Sequence, residues 1–105
     1  MDIATDNTLP DINYLTLEQW PKDHDAWGDD GFERINQLLD KAVHLVGRKA
    51  PSEVMVYASL SENKSKAGKK PVVFIDCESL NRYHIDELHI KNGKLPKHDR
   101  ASAFK

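Results

Sequence analysis

The densest run of chemistry-bearing side chains is Asp76-Cys77-Glu78 followed by His84-Ile85-Asp86-Glu87-Leu88-His89. Asp76 and Glu78 leave the end of an apolar stretch, and two further carboxylates lie between a pair of histidines. Oxygen and imidazole donors converging from strand ends are what a hard cation or zinc requires. A metal-dependent phosphodiester hydrolase would use Asp76 and Glu78 to hold Mg²⁺, with a nearby lysine meeting the scissile phosphate. The spacing matches no metal motif, however. His84 and His89 differ by an odd number and would face opposite sides of one continuous strand. Hydrophilic residues at a strand exit account for the same pattern, so no metal and no cofactor is assigned. Cys77 lies close to the same histidines in sequence, but no third group is placed to orient them as a base. A small apolar filler at the end of a buried strand is its simpler role, and no catalytic residue is assigned.

A second constellation is basic. Lys64, Lys66, Lys69 and Lys70 crowd a polar stretch, 61–70, that also carries Gly68. A lysine-rich hairpin tip can follow a phosphate backbone, each contact releasing counterions. Arg82, Lys91 and Lys94 extend that nucleic-acid or anion contact if the following segments lie alongside, as Lys97 and Arg100 would. Lysines on a solvated loop also keep a hairpin soluble and its edges unpaired. Gly68-Lys69-Lys70 is not a P-loop, because the first glycine, the Ser/Thr after lysine and the following helix are missing. No helix-turn-helix, zinc-finger, RNP or KH signature is present.

The elements that would position these groups are readable from periodicity. Phe32, Ile35, Leu39, Ala42 and Val46 recur at three- and four-residue steps, which predicts an amphipathic helix over 31–47. Asp30 and Glu33 resemble a capping box, and Gly47 is placed as the stop. Two strands follow. In residues 53–60, Val54, Val56, Ala58 and Leu60 form one face and Met55, Tyr57 and Ser59 the other. In 71–77, Val72-Val73-Phe74-Ile75 reads as a central strand covered on both faces, joined to the first by a long hairpin. Residues 78–84 are ambiguous between a short helix and a link. Residues 85–96 read as a second hairpin, because Asn92-Gly93 tolerates the positive φ of a type I′ turn. Thr16 to Trp20 forms a short helical turn that Pro21 stops.

Charge is sorted along the chain. Residues 1–33 hold nine acidic residues and one lysine, whereas 34–105 hold fourteen basic and eight acidic, which nearly cancel to a net −2. The arm also carries Leu17, Trp20 and Trp27, which either dock onto the body or contact a protein partner. Its carboxylates Asp23, Asp25, Asp29, Asp30 and Glu33 offer a further alternative, an inhibitor that imitates nucleic acid. One cysteine asks for no oxidising compartment, the start has no secretory pattern, and no apolar run spans a bilayer; the expectation is a cytoplasmic protein without membrane contact.

The expected architecture is α+β: one helix on a small antiparallel sheet of three or four strands. An acidic extended arm (1–28), partly docked, precedes an α+β domain (29–97) and a basic tail (98–105). The expected function is a small binding or regulatory protein, more naturally non-enzymatic than catalytic. It acts through surface contacts with a protein or nucleic acid, and a homodimer would help complete a core this small.

Overall fold

The computed structural model describes residues 10–100. Its sheet has the order β1-β2-β3-β4-β5, built from β1 (Asp11–Ile12), β2 (Met55–Leu60), β3 (Val72–Cys77), β4 (Asn81–Asp86) and β5 (Asp99–Arg100). The pairs β2–β3, β3–β4 and β4–β5 are antiparallel; β1 joins β2 in parallel, with Asp11 opposite Tyr57. Two helices, α1 (Pro21–Lys49) and α2 (Glu87–Asn92), complete an α+β fold. No described helix is long and apolar enough to cross a membrane.

The apolar stripe of α1 places Phe32, Ile35, Leu39, Ala42 and Val46 against one face of the sheet. From that face rise Met55, Ala58 and Leu60 of β2, Val73, Ile75 and Cys77 of β3, and Tyr83 and Ile85 of β4. Ile35, Leu39, Ile75 and Ile85 have no accessible surface, and each such side chain contributes about 1.5–3 kcal/mol by leaving water. Leu15 and Trp27 enter the same core. Asn36 clasps the segment before α1: its Oδ1 accepts from Leu15 N at 2.8 Å and its Nδ2 donates to Leu15 O at 3.1 Å. Tyr14 donates to Asp40, which raises the phenol's pKa through that bond.

Several elements differ from the sequence expectation. Pro21 does not stop a turn; it occupies the first position of α1, where its missing N–H costs nothing. Thr16 does cap a turn there, accepting from Trp20 N through its carbonyl and from Gln19 N through its hydroxyl. The helix therefore begins well before residue 31 and is interrupted at Gly28 (φ 72°, ψ 179°), a conformation that a β-carbon strongly disfavours. It ends at Lys49, past Gly47, with Ala50 N returning to Val46 O.

In β2 a register shift between Met55 and Tyr57 reverses the side-chain parity. Met55 is thereby turned into the core with Ala58 and Leu60, while Val54 and Val56 are 44% and 39% exposed. The ambiguous 78–84 region is a tight turn, with Leu80 at φ 73°, followed by β4. The expected second hairpin is the helix α2 instead. Asp86 accepts from His89 N while His89 Nδ1 accepts from Asp86 N, a reciprocal cap that commits the chain to helix. Gly93 (φ 65°, ψ 29°) then closes it as a left-handed C-terminal cap. Asn92-Gly93 meets the same demand for positive φ in a different element.

Candidate functional site

Both helices pack on the core side of the sheet. No described helix covers the opposite face of β3, yet the strand is buried on both sides as expected: Val72 and Asp76 are buried there and Phe74 is half-buried. Strand alternation and register assemble that face in two rows. One row is Tyr57–Asp76–Arg82–Asp99; its neighbour is Ser59–Phe74–His84. Asn13 extends the second row by donating to Ser59 Oγ at 3.2 Å.

Phe74 is the centre of the face. Its ring lies 5.9 Å from Tyr57 and 6.5 Å from His84, both tilted, and the Arg82 guanidinium carbon stands 4.1 Å over its centroid. That guanidinium also forms a fork with Asp76, Nε to Oδ1 at 2.5 Å and Nη2 to Oδ2 at 2.8 Å. The Asp76 side chain is 4% exposed and that of Arg82 19%. The carboxylate raises the Arg82 pKa further, so the pair stays charged and internally neutralised.

His84 borders a hollow of about 210 Å³ together with Phe74, Arg82, Lys64 and Glu62. Its Nδ1 is buried and lies 3.3 Å from Asp99 Oδ2 without the alignment of a hydrogen bond. Burial, then the positive charge of Lys64, lowers the His84 pKa, Asp99 opposing and Arg82 assisting. Together these effects favour the neutral imidazole over the charged form.

The residues singled out from sequence fall in separate places. Lys64 and Arg82 meet at this hollow. Lys66 and Lys70 pair their backbones in the loop, and Lys70 Nζ approaches Asp86 at 3.6 Å; Lys69 is exposed beside them. Lys91 lies on α2 beside Arg34 and Lys41, on the helical side of the molecule, and Lys94 is exposed just past the α2 cap. Among the hydrophobic arm residues, Leu17 is 57% exposed, Trp20 packs half-buried against the core and Trp27 is buried within it.

Asp76 is occupied by Arg82, Glu78 is exposed, and His89 serves the α2 cap. Among the described residues no three His, Cys, Asp or Glu side chains converge as a cation site requires. Cys77 is buried in the core, and burial followed by the charges of Glu53 and Asp76 pushes its thiol up to about 12. A thiol so protonated is a poor nucleophile.

No carboxylate of the acidic segment pairs, among the described residues, with a lysine or arginine of the basic body. Among the described residues the ion pairs of Lys and Arg are Arg34–Glu87, Lys70–Asp86 and Arg82–Asp76, all internal to the body. Asp25, Asp29, Asp30 and Glu33 are exposed along the first half of α1. Tyr57, Ser59 and Phe74 were missed as site residues; their signal was the alternation within β2 and β3 that puts one polar or aromatic side chain in every two on the open face. No family model matches this chain, and no match was found among the curated proteins or the solved structures.

Proposed function

We propose that the protein is a non-enzymatic binding protein that takes single-stranded nucleic acid on the open face of its sheet. The observation that carries this reading is the cluster of half-buried Tyr57, Phe74, His84 and Arg82 in adjacent rows of the helix-free face. Unpaired bases stack on aromatic rings and on guanidinium planes, whichever base they are. Arg82, held over Phe74 by Asp76, offers its own guanidinium plane as the outer surface of such a platform. Lys64 beside the hollow, with exposed Lys66 and Lys69 in the adjoining loop, supplies the positive charge that a phosphate backbone follows. The lone buried Cys77 suits a reducing, cytoplasmic setting.

The test is fluorescence anisotropy with labelled single-stranded DNA and RNA over a salt series. Lys64→Ala, Lys66→Ala and Lys69→Ala together should flatten the log–log salt slope by about 0.7 per lost contact. Phe74→Leu, which keeps bulk on the strand but removes the stacking ring, should weaken binding roughly 5- to 100-fold. Absence of binding to every oligonucleotide at low salt would refute the proposal.

A further inference from the structure

The helical side of the molecule carries a second surface, independent of the sheet face. Two hollows of about 290 and 250 Å³ share Lys41 and Ile90 and so form one groove between α1 and α2. Leu38 and Leu45, both nearly fully buried, and half-buried Ile90 make its floor. Along the α1 wall stand Arg34, Lys41 and Arg48, each seven residues from the next, with Leu38 and Leu45 interleaved at the same interval. Seven residues are nearly two helical turns, so the three cations lie almost in line at steps of about 10.5 Å.

Of the two acids lining the groove, Glu87 is neutralised by Arg34, whereas Asp40 is met by a phenol that carries no charge to cancel it. Arg34 donates to both oxygens of Glu87 at 2.6 and 2.7 Å, and Asp40 accepts from Tyr14. Lys41, Arg48 and Lys91 have no ion-pair partner among the described residues. The surplus is therefore positive, periodic and laid over an apolar floor.

We propose that this groove docks an acidic amphipathic helix of a protein partner. Such a helix repeats its side chains at the same period as α1, so carboxylates spaced seven apart meet Lys41 and Arg48 while leucine-like residues between them cover half-buried Ile90 and the aliphatic stems of those cations. A phosphate backbone would use the cations but gain nothing from the floor, which is why charge and apolar surface together select a peptide.

The experiment titrates the full chain into a labelled, helix-forming peptide of two to three heptads carrying Glu and Leu in this pattern. Saturable binding that weakens with salt is expected. Lys41→Glu with Arg48→Glu, both exposed and so harmless to the fold by circular dichroism, should reduce affinity roughly tenfold or more. Ile90→Ser should weaken it separately, whereas Lys66→Ala with Lys69→Ala should not. Failure of the peptide to bind overturns the proposal, as does equal binding of a version with Lys in place of Glu. So does loss of oligonucleotide, rather than peptide, on Lys41→Glu with Arg48→Glu. Self-association through the groove, abolished by those same changes without peptide binding, also overturns it.

Discussion

Replacing Arg82 by Leu isolates the interaction on which the open face depends. The Asp76 side chain is 4% exposed and receives both donors of the Arg82 fork. Removing them strands a buried carboxylate, which costs roughly 3–5 kcal/mol, far more than an exposed pair would. Loss of the guanidinium over Phe74 adds about 0.5–1 kcal/mol. For a domain of this size the sum lowers Tm by at least about 12 °C. Changing both partners, Asp76→Leu with Arg82→Leu, should recover most of the loss, because no charge is then left buried. Urea denaturation of the wild type, the two single variants and the double variant at pH 7 yields the coupling energy directly. A loss below about 1 kcal/mol for Arg82→Leu would refute the reasoning, since a buried carboxylate left without its partner must cost more than that. So would a double variant as unstable as Arg82→Leu alone, which would assign the guanidinium a packing role only.

Three further expectations concern the supporting structure. Glu53 accepts from Ser79 at 2.7 Å, Asn81 at 2.7 Å and Tyr83 at 2.9 Å, and these bonds, Asn81 first, hold its pKa below the usual range. Its contribution is thus present above about pH 4.5 and lost as pH falls through the depressed folded value; Glu53→Gln should reduce the loss of stability seen in acid melts. Glu62 is the opposite case, its pKa raised chiefly by a hydrogen bond with Asp23 that needs a proton. That stability is full below the ordinary glutamate value and fades as pH rises through the folded one, so Glu62→Gln should stabilise the protein at pH 7 by a few tenths of a kcal/mol in chemical denaturation. Gly93→Ala forces a β-carbon into the left-handed region, and although nothing lies within 4 Å of it, the conformation alone should cost about 1 kcal/mol by urea titration.

The helix and the central hairpin were legible because Phe32 to Val46 and Val72 to Ile75 carry their periodicity openly. Three features were not. The faces of β2 were misassigned at Val54, Val56 and Met55 because a one-residue shift inverts an alternating pattern and leaves no compositional trace. Asn92-Gly93 announces positive φ without saying whether a turn or a helix end needs it; Asp86 decided the matter three residues before His89. Pro21 marks a boundary from either side, and only the docking of Trp27 in the core shows which. The candidate surfaces were harder still. Lys64 and Lys91, grouped by charge alone, lie on opposite sides of the sheet, whereas Phe74 and Arg82 meet only through the strand register.

The parallel pairing of β1 has a consequence for how the chain assembles and comes apart. Strands β2, β3 and β4 close through neighbouring connections, but Asn13 reaches Ser59 across 46 residues, and only once α1 has crossed between them. Contacts with that separation form late and, having only two residues of ladder, open early. The margin bearing Asp11 and Ile12 is therefore where amide protons would first trade with solvent and where a protease would first gain purchase.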